Sequence, residues 1–524
     1  MRRQLARPQF RREMNTGISE PRERSFVRVF CCVAAVHVFI FSAAFPVFNN
    51  MDEIPHFDLV VKYAHGHLPR GLEPMGEESS LYTRTYNSPE FISPPGHFPG
   101  GRYPTPFWTQ TTNGQSDKLQ REIAFQQASA SWQKIKNLPF WTNYESAQQP
   151  LYYAAAGLWW RVGQWSGIEG LRLVYWVRFL NVLFVAALVW IGYIAARLVF
   201  PENYFFRLGV PALVAFIPQQ AFYSIQNDVL SPLCFGAAFV CLVKFLRAEN
   251  PDVRLGIATG LLLAATFLAK MSNLPLLAVS AVVVALKIFQ LAKKGKLHGS
   301  PSAPALLIFC AALPVGAWLV WSKYAFGDFS GAAQKIQFIT WTPKPFNEWW
   351  HHPIFSPQGF WTFISGLLTT FWQGEFRWHG QQLDLPVVDA FYVIPTLCFV
   401  ALAVVSLFPR FSVATRQQHQ ALWLSFWCLI AGIAFLAFIS VVYDFGICIN
   451  PSRGHPYLTA GRLILGALIP FLLLLLYGIE SLLGPVKNKW VRPLVLAGMI
   501  LFMLVSEIVT DWPVFASQYN WYHL

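Results

Sequence analysis

Runs of about twenty apolar residues recur along most of the chain, and a helix of that length crosses the hydrocarbon core of a bilayer. The first covers Phe26 to Phe48. Others follow near 173–199, 208–225, 229–247, 254–270, 274–292, 303–322, 388–408, 420–442, 460–481 and 493–510. They predict an all-α polytopic membrane protein with about eleven transmembrane helices. In lipid the backbone must satisfy its own hydrogen bonds, which a continuous apolar run does by folding as a helix. Composition agrees. The chain is 54% hydrophobic and only 13% charged, against roughly 25% charged in a soluble domain. That balance excludes a soluble multidomain enzyme and a disordered chain.

The net charge of +13 would point to nucleic acid in a soluble protein. Here the basic residues cluster at the ends of apolar runs, and no zinc-finger spacing or RNA-binding fingerprint is present, so no nucleic-acid partner is expected. If the N-terminus is cytoplasmic, the alternate connections hold Arg197 and Arg207; Lys244, Arg247 and Arg254; Lys293, Lys294 and Lys296; Arg410 and Arg416; then Lys487, Lys489 and Arg492. The short connections on the other side hold little beyond Lys270 and Arg453. This meets the positive-inside rule and predicts an external C-terminus. Of the eight cysteines, all but Cys448 lie in apolar runs and none forms a CxxC pair, so buried thiols are expected rather than disulfides.

Residues 1–25, rich in arginine, read as a cytoplasmic tail. Ser42-Ala43-Ala44 resembles a signal-peptide cleavage site, but the apolar run exceeds the 7–15 residues of an h-region, and an uncleaved first span is expected. Residues 26–510 form one membrane domain with long external loops at 49–172 and 323–387, and 511–524 form an external tail. Within the first loop, 88–112 is irregular, 116–137 is polar and helical in pattern, and Tyr152 to Trp165 is an apolar helix too short to span. Gly359 to Trp372 is similar. Six tryptophans of the second loop (Trp341, Trp349, Trp350, Trp361, Trp372 and Trp378) suit interface anchoring or stacking on a sugar.

The spans are nearly free of ionisable residues; His37, inside the first, reads as a packed, hydrogen-bonded residue. Polar groups gather instead at the external ends: Asp52 and Glu53, Asn227 and Asp228, Lys270 and Asn273, and Arg453, His455, Tyr457 and Arg462. Charges at that depth are functional-site candidates, although span ends also host ordinary polar residues. After the first span, Pro55 suits a first helical turn. Phe57, Val60, Val61, Ala64 and Leu68 make one apolar face, and Gly66 is a stop. This predicts an amphipathic helix at the interface. Asp52 or Glu53 would serve as general base, metal ligand or partner of the helix dipole.

The segment Asp52-Glu53-Ile54-Pro55-His56-Phe57-Asp58 resembles the first-loop motif of GT-C fold integral-membrane glycosyltransferases. Tyr144-Glu145-Ser146-Ala147-Gln148-Gln149-Pro150-Leu151-Tyr152-Tyr153 resembles the family's E..QPPLYY segment, with one proline missing. Leu268-Ala269-Lys270 is similar to its LTK turn. Phe371-Trp372-Gln373-Gly374-Glu375-Phe376-Arg377-Trp378 resembles the SFWG.FGW segment of a bacterial subgroup known mostly as predicted membrane proteins. Thr459-Ala460-Gly461-Arg462-Leu463 with Pro470 resembles its QGRYLLPALP span, with Leu463 in place of the aromatic.

The resemblance implies an inverting enzyme that moves a sugar from a polyprenyl-phosphate donor to a lipid, glycan or protein acceptor at the external face of the inner membrane. It implies Asp52 as catalytic base. Lys270 and Arg462, with Arg453, would bind the donor phosphate, because a leaving anion needs cationic partners. His56, Gln149, Tyr152, Asp228 and Tyr457 are candidates for substrate contacts. Glu53 and His56 would orient Asp52 or, as the alternative, hold a divalent cation with it; no cofactor is otherwise implied. The competing functions are a surface-polysaccharide ligase or polymerase, a transporter or flippase of lipid-linked sugars, and a non-catalytic scaffold. A transporter would be expected to show repeats and a polar path, and the sequence shows neither.

Overall fold

In the computed structural model, which describes residues 20–106, 108, 142–295, 302–410, 414–448 and 450–524, the regular structure is almost all helix. Two pairs of two-residue strands, Thr342–Pro343 with Tyr443–Asp444 and Arg377–Trp378 with Gln381–Gln382, are the sheets among the described residues. The expected helix at 116–137 lies outside the described residues.

Nine helices among the described residues are long and apolar enough to span a bilayer. They are α1 (Glu20–Ala44), α5 (Leu171–Val199), α7 (Leu230–Arg247, extended by a 3-10 turn from Asn227), α9 (Leu274–Lys293, from Met271), α10 (Ser302–Phe326), α13 (Pro386–Leu407), α14 (Arg416–Val442), α15 (Leu468–Leu483, from Gly461) and α16 (Val491–Phe515). The other two expected spans are helical but shorter: α6 (Tyr204–Ala215) and α8 (Val253–Ala269).

The run at 208–225 is therefore not one continuous helix. It leaves helical geometry after Ala215 and continues as 3-10 turns at Gln220–Tyr223 and Asn227–Val229. Its freed carbonyls find side-chain donors: Asn181 Nδ2 bonds the oxygens of Phe222 and Ser224. Irregular backbone at this depth is tolerable where protein covers it, and Gln219 to Leu230 are all buried.

α15 sits at the centre. Its run Leu472 to Leu476 is apolar on all faces and wholly buried, as a helix without a polar stripe must be. It packs on α13, α14 and α6, while α1 packs on α5 and α8 on α10. At the periphery, α9, α10 and α16 turn Phe289, Val320 and Leu501 outward, which lipid accommodates without penalty. α1 begins at Glu20, so the last residues of the expected tail are helical, and α16 continues to Phe515. His37 is fully partnered, with Nε2 2.7 Å from Glu507 Oε2 and Nδ1 3.1 Å from the Ala215 oxygen.

Between α1 and α5 the described residues form three further α-helices: α2 (Glu53–Ala64), α3 (Glu77–Tyr86) and α4 (Pro150–Trp165). α2 starts with Pro55 in its first turn and is followed by Gly66 at φ 74°. Its polar side is covered by protein rather than wet. Asp58 and Lys62 on its polar side pair at 2.9 Å, and Asp58 also accepts from Gly76 N at 2.7 Å and Asn143 Nδ2 at 2.6 Å. The second loop adds α11 (Ala332–Phe338) and α12 (Pro357–Trp372).

Candidate active site

Asp52 is the residue before α2 and adopts φ 60°, ψ 9°, a left-handed conformation that aspartate tolerates better than most residues. Its side chain does not cap the helix. One oxygen, Oδ2, lies 2.5 Å from Arg462 Nη2. The other accepts from the Tyr144 hydroxyl at 2.7 Å. Because Glu53 is the first helical residue, its side chain leaves in another direction. It lies in the core and faces Arg178 of α5, with Nη2 at 2.6 Å and Nε at 2.7 Å. Both side chains are completely buried. Glu53 also accepts from the backbone of Phe48 and Ile225, both at 2.9 Å, and Arg178 donates to the Phe45, Pro46 and Ser42 oxygens. The acidic pair thus splits: one carboxylate faces the site, and the other ties the first loop to α5.

Arg462 opens the 3-10 segment that leads into α15. Its neighbour Gly461 presses on α12, where a Cβ would lie 2.1 Å from the Phe371 nitrogen; only glycine allows that approach. The guanidinium donates Nε to Glu375 at 2.8 Å, and Nη1 to Gln226 at 3.2 Å and to Asp228 at 3.5 Å. Asp228 is buried, and its other oxygen lies 2.5 Å from Lys270 Nζ. Lys270 follows α8 directly, and Gln149 Oε1 accepts from the next backbone nitrogen, of Met271, at 2.8 Å. Gln148 reaches Asn227 at 3.1 Å. From the second loop, Lys335 of α11 pairs with Glu145 at 2.5 Å and lies over the Tyr144 ring.

Burial pushes the Asp52 carboxyl up, but the charges of Arg462 and Lys335 and the Tyr144 hydroxyl outweigh it and hold the group below the usual carboxylate range. His56 is buried, and its Nδ1 lies 2.6 Å from the Tyr153 hydroxyl. Burial lowers its pKa; Lys270 and Arg462 add to that against Asp52 and Asp228, and the imidazole falls to about 3. A histidine whose pKa falls on folding adds stability above its unfolded pKa and loses it as pH drops toward the folded one. Wild-type stability is therefore expected to fall from pH 6.5 toward 3 by up to about 1.4 kcal/mol per pH unit from this group. Thermal unfolding in detergent at pH 7 and 5 should show a flatter dependence in His56→Gln; identical dependences would show that His56 does not stay neutral.

Several sequence expectations change. Asp52, Glu53 and His56 do not converge as a metal set: Glu53 is turned to Arg178, and no group of three such side chains suited to a metal occurs among the described residues. Arg453 stands apart with its side chain 73% exposed, paired with Asp444 at 3.1 Å. Tyr457 packs against His352 and His455. Neither shares a hydrogen bond or ion pair with the Asp52–Arg462 cluster in the described contacts. Tyr152 is wholly buried beside Tyr153. Trp372 and Trp378 are core residues, while Trp350 and Trp361 are exposed. Sequence reasoning did not single out Arg178, although a charge at the sixth position of the apolar run 173–199 was a signal for it. Tyr144, Glu375 and Lys335 carry no local signal of that kind.

A family model described as predicted membrane protein (DUF2142) matches residues 36–446. No curated protein matches the chain significantly. Among solved structures, similarity extends to the oligosaccharyltransferase of Archaeoglobus fulgidus tethered with an acceptor peptide (10% identity, TM-score 0.38). It extends also to the archaeal oligosaccharyltransferase AglB of the same organism in complex with an inhibitory peptide and a dolichol-phosphate (10% identity, TM-score 0.35). The alignments cover 94% and 93% of this chain but only 55% and 56% of those.

Proposed function

For this chain, which belongs to the DUF2142 family of predicted membrane proteins, we propose an inverting glycosyltransferase that takes a sugar from a polyprenyl-phosphate donor at the external face of the membrane. One observation carries the reading. The five segments that resemble GT-C motifs are scattered over 52–58, 144–153, 268–270, 371–378 and 459–463, yet each delivers a side chain to a single ionic cluster. They supply Asp52; Tyr144, Glu145 and Gln148; Lys270; Glu375; and Arg462. The cluster combines a carboxylate that can accept a proton with two cations that can receive a leaving anion.

In this reading Asp52 takes the proton of an acceptor hydroxyl as its oxygen attacks the anomeric carbon. The bond from that carbon to the lipid phosphate oxygen breaks on the opposite face, so the configuration inverts. Arg462 and Lys270 stabilise the departing phosphate, the first by two parallel N–H contacts and the second as a point charge. Asp228 holds the two cations at a fixed separation, and Gln149 holds the backbone that carries Lys270. With the N-terminus cytoplasmic, the cluster lies at headgroup level on the outside of an inner membrane, where a lipid-borne phosphate is also found.

The test uses the purified full chain in proteoliposomes with a radiolabelled polyprenyl-phosphate sugar and a cell-envelope extract as acceptor source. Transfer of single sugars out of the lipid fraction is the expected result. Label that crosses the bilayer without leaving the lipid would identify a flippase instead, and transfer of preassembled chains a ligase or polymerase.

A further inference from the structure

We propose that Asp52 and the donor phosphate occupy Arg462 in turn, so that the donor, by taking the guanidinium, releases the base that attacks it. This rests on the transferase reading above and adds an order of events to it. The guanidinium is already engaged on all three nitrogens: Glu375 on Nε, Gln226 and Asp228 on Nη1, and Asp52 on Nη2. A phosphate needs two adjacent N–H groups for a bidentate contact. The planar fork offers two such edges, Nε with Nη2 and Nη1 with Nη2. With Gln226 and Asp228 on Nη1, the edge left to a phosphate is Nε with Nη2, which carries Glu375 and Asp52.

The partners differ in how readily they can leave. Asp228 is buried and locked to Lys270 at 2.5 Å, and Gln226 is buried and tied to the Ser224 hydroxyl at 2.6 Å. Glu375 is 21% exposed and can turn away from Nε; Asp52 is 17% exposed and already has a second partner in Tyr144, so its carboxylate can give up the guanidinium and remain hydrogen-bonded. Charge argues the same way. The cluster holds the carboxylates of Asp52, Glu145, Asp228 and Glu375 against the cations Lys270, Lys335 and Arg462. An incoming phosphate therefore meets one negative charge in excess, and that excess is removed when a carboxylate turns away. Without donor, Asp52 is a poor base because Arg462 stabilises its anion; with the guanidinium taken, the carboxylate is free to accept the acceptor's proton. Donor binds first and acceptor second.

The experiment measures binding of farnesyl phosphate, which carries the phosphate and a prenyl chain but no sugar, to the detergent-solubilised full chain by calorimetry. If Asp52 competes with phosphate, Asp52→Asn binds it at least about tenfold more tightly, equivalent to about 1.4 kcal/mol, and Asp52→Ser does the same. Asp444→Asn removes one negative charge outside the cluster, where Asp444 pairs with Arg453, and is expected to change binding by less than about threefold, because partly exposed charges interact weakly. Inorganic phosphate should show the same ranking at lower affinity. Equal or weaker binding by both Asp52 variants, with binding lost in Arg462→Ala, overturns the exchange and leaves the transferase reading standing. Equal tightening by Asp444→Asn overturns it as a general charge effect. Binding that survives in Arg462→Ala, or is absent from every form, overturns the exchange and removes the phosphate role of Arg462 with it.

Discussion

Asp52→Asn is expected to reduce sugar transfer by about 10²–10⁴-fold, the usual share of a positioned general base, while leaving the protein folded. The substitution keeps the shape and an oxygen for the Tyr144 hydroxyl, and Arg462 retains Glu375 and Asp228. Breaking a buried pair is costly when it leaves a charge unpaired, and here it does not. The thermal unfolding midpoint in detergent should therefore stay close to wild type while the transfer of label from a polyprenyl-phosphate sugar collapses. Near-normal transfer by the variant would remove Asp52 from the role of base.

Glu53 gives the opposite expectation, although it is the next residue. Glu53→Ala strands Arg178 without its counter-ion in a site with no exposure, and such a break typically costs about 3–5 kcal/mol. Arg178→Ala strands Glu53 in the same way. Both variants should unfold at much lower temperature and accumulate poorly in the membrane. The pair also holds the carbonyls of Phe45 and Pro46, where α1 ends, and the nitrogen of Ile225 near Asp228, so the damage reaches the site. The double variant Glu53→Gln with Arg178→Gln should recover part of the stability, because neutral amides leave no unpaired charge. A Glu53→Ala protein of normal stability that is inactive would return Glu53 to catalysis.

The two acids show how far the sequence could be read. Asp52-Glu53 marks the place where something chemical happens, but adjacent acids in one motif look equivalent. Their roles separate through a backbone detail. Asp52 stands in a left-handed conformation before the helix, and Glu53 is the first residue within it, so their side chains diverge. Which cation each would meet depended on Arg178 and Arg462, which are far apart in the chain. Arg453 shows the converse. It lies only nine residues from Arg462 and at a similar expected depth, but the loop that carries it pairs it with Asp444 in the open.

Hydrophobic length determined most of the architecture, because a bilayer leaves an apolar run of twenty residues little choice but a helix. It therefore revealed the membrane class, the two long loops and the positions of nearly all the long helices from residue type alone. The broken segment after Ala215 escaped it, since apolar content does not report whether neighbouring side chains such as Asn181 will satisfy a non-helical backbone. The motif segments were likewise legible one by one, as local patterns of acid, lysine and arginine. That they form one cluster, with Tyr144 and Lys335 on one side of Asp52 and Arg462 on the other, was decided only by tertiary packing. Ion pairs are set by distances between segments hundreds of residues apart, and a local pattern contains no information about those distances.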